Sequence, residues 1–401
     1  MTLQASGRTD VSIVVSMFRS ERYLRQFERN VRRFARDIES TSTLTVELVL
    51  VLNAPSTAEL RAVGSLRGVE SHQVRLKSVE VPQETLYASW NRGIHLAEGG
   101  VIGFWNTDDD RYAPAVVEAA EGMRRGASLM YFPHVVDHRW RKWGTIPCRR
   151  RVLEPAREFD RDLFRAVFSI SPFFMFSRAL YETVGPFDEQ FQIAGDFDWC
   201  VRALDETSFA GGMQVAGRFL DECQGLSTLG SERLIAERNV IFIRHGLIHL
   251  LQQASPSLLA EYDARRIRVG QSWVGIPRAQ CVSEPSLGRS RMTASSELVL
   301  TRNAESLRQL AAADALDGRL TRLARRSARY FSRLARRAAA ATQRASDEER
   351  IRRGDLRGVR RGFLRARPAY TSTAKFALAL PIVMLSPRLY AIALRRRRRA
   401  S

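Results

Sequence analysis

Through the first 110 positions, apolar residues arrive in short β-branched runs separated by amphipathic stretches. Residues 11–16 (VSIVVS) and 45–52 (TVELVLVL) are runs of the kind a strand covered on both faces requires. Residues 74–81 and 101–105 predict two more strands. Between the first two, Tyr23, Leu24, Phe27, Val31 and Phe34 recur every three or four positions, which predicts a helix with one apolar stripe. Residues 58–66 and 85–98 also read as helices. Strands alternating with helices at this spacing imply an α/β fold, a parallel sheet with helices on both faces. No G-x-G-x-x-G follows the first strand, which argues against a dinucleotide fold of the dehydrogenase type.

Beyond residue 110 the pattern loosens. Residues 127–136 and 172–177 predict strands, and 139–164, rich in Arg and Trp, read as irregular. Helices are expected over 196–205, 230–251 and 256–268. The Gly, Pro and Ser content of the next stretch predicts a linker over 271–300, separating a body of residues 1–270 from an Arg-rich helical extension over 301–401.

The charge supports that division. The chain of 401 residues carries a formal net charge of +20, but residues 1–300 hold 37 Lys+Arg against 36 Asp+Glu, and residues 301–401 hold 26 against 7. The body is therefore an ordinary, nearly neutral globular protein. Cys148, Cys200, Cys223 and Cys281 form no C-x-x-C pair, so no disulfide framework is expected. The opening MTLQASGRTD has no apolar core of a leader peptide, and a cytoplasmic location is expected.

Candidate chemistry begins at Asp108-Asp109-Asp110, directly after an apolar strand. Ligand sites in open α/β sheets lie at the carboxyl ends of strands. Three adjacent carboxylates repel one another unless a cation compensates, and Mg²⁺ or Mn²⁺ prefers such oxygen ligands together with substrate phosphates. Taken alone, the triplet also fits a solvated acidic turn.

Its surroundings add a resemblance. The stretch from Ala88 through Asn91, Arg92, Gly93, Ala97, Gly99, Gly103 and Phe104 to Asp108 and Asp109 resembles the core of family 2 glycosyltransferases. Phe174 to Glu189, ending in Gly185-Pro186-Phe187-Asp188-Glu189, looks like a second block of that family. Ala194-Gly195-Asp196-Phe197-Asp198-Trp199, with Arg202, is similar to a third. The three ordered blocks span roughly residues 10–250. The resemblance implies a GT-A fold, a nucleotide-diphospho-sugar donor, a divalent Mn²⁺ or Mg²⁺ and inverting transfer to a glycan or lipid-linked acceptor.

Carried over position by position, the resemblance puts Ser16, Glu21, Asn53, Asn91, Arg92 and Asp108 near the donor. It puts the metal on Asp108, Asp109 and Asp110, whose register leaves all three as candidates. Asp196 matches the catalytic carboxylate, which would take the proton of the acceptor hydroxyl. Asp196 would also cap the helix over 197–205, and Asp198 with Arg202, one turn apart, would pair. Asn53, Asn106 and Gly195 depart from the family pattern, which has Asp, Asp and Glu there. Trp140 and Trp143 are candidates for stacking on an acceptor sugar. The pairs His134/His138 and His245/His249 read as structural.

The tail adds a different signal. Leu316, Leu320, Leu323, Tyr330 and Leu334 form a stripe interrupted by Ser327, and Arg residues fill much of the remainder. Residues 376–385 are unbroken apolar, and five Arg occupy 395–399. Pro381, Pro387 and Arg388 argue against a full span, so peripheral contact with an anionic membrane surface, on the cytoplasmic face, is expected. An oligomer helix is the next reading, and no specific nucleic acid is expected. The rival from another class is a non-catalytic membrane- or nucleic-acid-binding protein on a degenerate transferase fold.

Overall fold

The computed structural model describes residues 9–142, 145–166, 168–170, 172–222, 232–247, 250–252, 254–263, 266–269, 272–275, 289–313 and 316–352. Contacts divide the chain into two compact units. The first holds the residues up to Ser286 together with Ala313–Leu323; the second holds Leu287–Ala312 and the residues from Ala324 on.

The first unit opens with β1 (Val11–Met17), α1 (Leu24–Thr41), β2 (Val46–Asn53), α2 (Thr57–Leu66), β3 (Val74–Val81), α3 (Leu86–Leu96) and β4 (Val101–Phe104). All of β2 and nearly all of β1 are buried, as β-branched runs without alternation require. The expected α1 stripe packs inward through Leu24, Phe27, Val31, Phe34 and Ile38. On the opposite face α3 approaches so closely that a Cβ on Gly93 would meet Val14 Cγ1 at 2.3 Å. Then come β5 (Asp110–Arg111), α4 (Ala113–Arg124), β6 (Leu129–Tyr131), β7 (His134–Lys142), β8 (Ile146–Glu154), α5 (Arg161–Ala166), β9 (Met175–Ser177), α6 (Arg178–Val184), α7 (Gly195–Ala203), β10 (Phe209–Gly211), β11 (Gly217–Asp221), α8 (Glu232–Arg244), α9 (Pro256–Leu259), β12 (Arg266–Val269) and β13 (Ser272–Gly275).

The central sheet has the order β10-β6-β9-β4-β1-β2-β3. It is mixed rather than wholly parallel, because β9 runs antiparallel to both β4 and β6. A second sheet has the order β5-β11-β7-β8. It contains the largest departure from expectation: residues 139–164 are not irregular, since β7 and β8 form a hairpin from His134↔Glu154 to Lys142↔Ile146. Alternation is hidden there because the partner of the β8 arginines is the buried carboxylate Asp137, not an apolar face. The helix expected over 256–268 stops at Leu259, and residues 266–269 are the strand β12. Strand β13 and the start of the next helix fall within the stretch read as a linker.

In the second unit, α10 (Arg289–Ala312) and most of α11 (Gly318–Arg352) are joined by Arg308 Nη2, which donates to Ser332 Oγ at 2.8 Å. The buried face of α11 is Ala324, Ser327, Ala328, Phe331 and Ala335. It is rotated from the expected leucine stripe: Ser327 lies inside it, and Leu320, Leu323, Tyr330 and Leu334 flank it half-buried. Small side chains can face a neighbour closely, whereas the bulkier ones line the edges. Arg322, Arg325, Arg326, Arg329, Arg333, Arg336 and Arg337 are all exposed, as expected. The apolar run at 376–385 and the terminal arginines lie outside the described residues, as do Trp143, Cys223, His249 and Cys281. No helix among the described residues is long and apolar enough to cross a membrane.

Candidate active site

The carboxyl ends of β1, β2 and β4 open on a cleft of about 740 Å³. Its wall includes Ser16, Arg19, Asn53, Tyr87, Asn106, Asp108, Asp109 and Asp196. The turn after β1 holds Arg19 at φ +51°, in the left-handed region. A non-glycine residue costs of order 1–3 kcal/mol there and stays only where its surroundings enforce it. They do so at Ser20, whose backbone N–H donates to the buried Glu59 at 2.8 Å and whose hydroxyl accepts from Thr107 at 3.0 Å. The turns after β1 and β4 are thereby tied together.

Asn53 clips a third loop. Its side-chain N–H donates to the Glu84 carbonyl at 2.8 Å, and its Oδ1 accepts from the Glu84 N–H at 2.9 Å. An aspartate there would lack the donor half of this exchange. The amide at this departure from the family pattern therefore has a structural task of its own.

The three aspartates have three different environments. Asp110 is fully engaged: Arg218 donates to both its oxygens at 2.9 and 3.0 Å, and Asn30 donates to Oδ1. Asp109 is buried and accepts from the Leu220 N–H at 2.9 Å and from Asn106 at 3.3 Å. Burial and the neighbouring Asp108 push its carboxyl well above the ordinary range. Asp108 is half-buried in the cleft wall, and among the described residues only its own backbone N–H bonds its carboxylate. Burial raises its pKa, and the charge of Glu222 adds to this. No group of three or more His, Cys, Asp or Glu side chains placed to hold a metal ion occurs among the described residues. The residues nevertheless fit an ion that takes one or two protein carboxylates and completes its shell with phosphate oxygens and water. Asp108 offers the open carboxylate such an ion would need, with Asp109 beside it.

Asp196 enters the cleft from α7. Burial raises its pKa to about 6, against the opposing bonds from the Phe197 N–H and the Tyr87 hydroxyl. The Tyr87 hydroxyl lies 3.3 Å from Asp196 Oδ1 and 2.7 Å from the Ile193 carbonyl. Asp196 is not the helix cap: the cap position is Ala194, and the Asp196 carboxylate bonds the N–H of Phe197 inside the first turn. The turn leading into the helix is held by Glu237, whose buried carboxylate accepts from the N–H groups of Gln192, Ile193 and Ala194 at 2.7–2.9 Å. A carboxylate there is favoured by the positive end of the helix. Glu237 and Tyr87 carry no local motif; only the fold brings them to α7.

Behind Asp196 a buried network fixes α7. Arg244, fully buried, donates to Asp198 and Asp188 at 2.7 Å each. Arg202 pairs with Asp198 at 3.1 Å one turn away, as expected from the spacing, and also donates to the carbonyls of Val184 and Pro186. Gly195 completes the fit: a Cβ there would meet the Tyr87 ring at 2.7 Å. Any side chain at 195, a glutamate included, would have to displace that ring.

Not every expected site residue reaches the cleft. Glu21 is exposed, and its own backbone N–H and the Ser56 hydroxyl hold its carboxyl below the usual range. Asn91 brackets the Gly185–Glu189 loop: its side-chain N–H donates to the Phe187 carbonyl, while Oδ1 accepts from the Phe187 N–H and the Tyr181 hydroxyl. Arg92 pairs with Glu84 at 2.8 Å. Both line a separate hollow of about 770 Å³ that shares only Glu84 and Thr85 with the main cleft. Trp140 is 37% exposed on β7, with the Arg150 guanidinium over its ring. His134 is buried, His138 bonds Asp221 at 2.7 Å, and His245 stands 3.5 Å from Asp198.

No protein-family model matches the chain. Over 194 residues it is 25% identical to proteins of Mycobacterium tuberculosis and Mycobacterium bovis named PGL/p-HBAD biosynthesis glycosyltransferase, a match covering 47% of this chain and 71% of theirs. Among solved structures it is similar to Staphylococcus aureus TarS residues 1–349 in complex with UDP-GlcNAc, with a TM-score of 0.43, 12% identity and coverage of 86% of this chain and 92% of that one. It is also similar to a mannosyltransferase of Pyrobaculum calidifontis in complex with GDP-Man and Mn²⁺, with a TM-score of 0.41, 13% identity and coverage of 84% and 88%.

Proposed function

We propose that the protein is a glycosyltransferase of GT-A type that moves a sugar, with inversion, from a nucleotide-diphospho-sugar to a glycan or lipid-linked acceptor. One observation carries the reading. Asp108, an open carboxylate, and Asp196, a carboxylate with a pKa near 6, line the same cleft at the carboxyl ends of the strands. The 25% identity to named glycosyltransferases supports it.

In this reading Asp108, beside Asp109, would hold Mn²⁺ or Mg²⁺. When bound, the ion supplies positive charge against the leaving diphosphate. Ser16, Arg19 and Asn53 form the donor end, with Arg19 a further cation for the phosphates. Asp196 accepts the proton of the acceptor hydroxyl while that oxygen attacks the anomeric carbon and the nucleoside diphosphate departs. A base with a pKa near 6 is ionised at neutral pH and still basic enough to take part in the transfer. Tyr87 and Glu237 act through Asp196, the first by orienting its carboxylate and the second by fixing the turn that presents it. The C-terminal arginines and apolar run suit attachment to an anionic membrane face, where a lipid-linked acceptor resides.

The deciding experiment is a panel of nucleotide sugars incubated with Mn²⁺ and the wild-type or Asp196→Asn protein. Turnover of one donor by the wild type, lost in the variant while donor binding persists, supports the reading. Equal turnover by both would remove Asp196 from the mechanism.

A further inference from the structure

The second sheet gathers arginines on one face. Asp110 lies opposite Arg218, Asp137 opposite Arg151, and Arg139 opposite Arg149. Alternation along β7 and β8 puts Asp137, Arg139, Arg149 and Arg151 on the same side of the sheet. Arg218 faces Val135, two residues before Asp137, and so joins them. From α1, Arg33 reaches to 3.9 Å from Asp110 and over the Tyr112 ring.

The charges on this face do not balance. Asp137 is fully buried and is met by four arginines: Arg149 on both oxygens, Arg218 at 3.1 Å, Arg139 at 3.4 Å and Arg151 at 3.6 Å. One bidentate arginine already neutralises the charge of a carboxylate. With Arg33, and with Arg22 and Arg139 on Glu222, six guanidiniums stand against three carboxylates.

A solvated charged face that merely neutralises these three carboxylates accounts for three of the six arginines. It leaves the surplus unexplained. Arg33, Arg149 and Arg151 are each nearly half exposed, at 42%, 46% and 49%, and one Arg33 nitrogen is sealed without a hydrogen-bond partner. Arg33 meets Asp110 from α1, and Arg218 meets both Asp110 and Asp137 from β11, so one patch joins them. Partly solvated planar donors above a floor already neutralised match the forked geometry of an oxyanion.

We propose that this arginine face, which borders the donor cleft without lining it, is a binding site for a phosphoryl group. In an enzyme of the proposed kind the phosphate belongs to the acceptor side; that assignment rests on the functional reading above, whereas the anion site does not.

The test titrates inorganic phosphate into the full chain without divalent metal and follows the ³¹P line width. The wild type should broaden the line, and Arg149→Gln with Arg151→Gln should weaken the apparent affinity at least fivefold. Arg61→Gln with Arg67→Gln, the same charge loss at exposed positions elsewhere, should leave it within twofold. Equal weakening in both pairs, or in neither, overturns the proposal. If the first pair fails to fold, Arg33→Gln probes the same site from α1, and unchanged affinity there overturns it too. Flotation on phosphatidylglycerol vesicles decides the source. Flotation lost by the first pair alone supports the site with a lipid headgroup as its phosphate; unchanged flotation supports it with the acceptor's own. Because phosphate binding requires no sugar transfer, this outcome is independent of whether the transfer reading stands.

Discussion

The Tyr87 hydroxyl lies 3.3 Å from Asp196 Oδ1, joining a side chain of α3 to one of α7 across 109 positions of sequence. A hydrogen bond to the ionised form lowers a carboxyl pKa. Tyr87→Phe should therefore raise the Asp196 pKa above its value of about 6. The acid limb of the kcat/KM profile should move to higher pH, with activity at pH 8 reduced less than at pH 6. A limb that stays in place would show that the hydroxyl does not touch the base.

Asp196→Asn should slow transfer by about 10²–10⁴-fold, the usual contribution of a general base. It should also stabilise the fold in a defined pH window. The folded pKa is raised from 3.8 to about 6, so stability is present below pH 4 and lost as pH rises through 6. The amide cannot ionise. The variant should melt higher than the wild type at pH 8, by about 1–3 kcal/mol, and equally at pH 3.5. Matched melting curves at pH 8 would contradict the raised pKa.

The neighbouring aspartates should separate into two phenotypes. Asp108→Asn should weaken Mn²⁺-dependent donor binding without lowering the melting temperature at neutral pH, since a raised carboxyl pKa means that the ionised form does not stabilise the fold. Asp110→Asn should cost stability, about 1–3 kcal/mol for disrupting a buried paired group, because the amide leaves one oxygen in place of two for the Arg218 and Asn30 donors and no charge to pair with Arg218. Calorimetry and thermal melts on the two single variants check this directly.

Asp198→Asn leaves the buried Arg244 with Asp188 as its remaining carboxylate partner. Burial would raise the Asp198 pKa, but Arg244 and Arg202 override it and hold it far below the ordinary range. A depressed pKa stabilises above pH 4, and the contribution is lost as pH falls. Breaking such a pair costs about 3–5 kcal/mol. The loss should be full at pH 7 and shrink toward acid, as urea midpoints at pH 7 and pH 3 would reveal.

Removing residues 371–401 takes away the apolar run, Arg388 and Arg395–Arg399. Basic residues near an anionic surface contribute about 1 kcal/mol each. Flotation on anionic vesicles should be lost while donor turnover persists; equal flotation of both forms would exclude this anchor.

The first four strands and the helices between them were legible because β-branched runs and a 3.6-residue stripe admit few other structures. The β7–β8 hairpin was not, because its buried partner is Asp137 and its alternation is charge against charge. Of the candidate site, Asp108 and Asp196 were legible from short ordered blocks that stay local in the fold. Asn91 shared such a block, yet its amide brackets a loop outside the cleft. Tyr87 and Glu237 were illegible because neither is marked by its sequence neighbours. Arg19 was hidden too, since a left-handed backbone at an arginine leaves no trace in composition.

The ring of Tyr87 fills the space that a side chain at 195 would need. The two positions are therefore exclusive. A carboxylate can enter at 195 only in company with a small residue at 87, and an evolving chain cannot cross between the two arrangements through either single change without a collision or a vacancy. In related chains positions 87 and 195 should covary as a pair, while Asp196 beside them stays fixed.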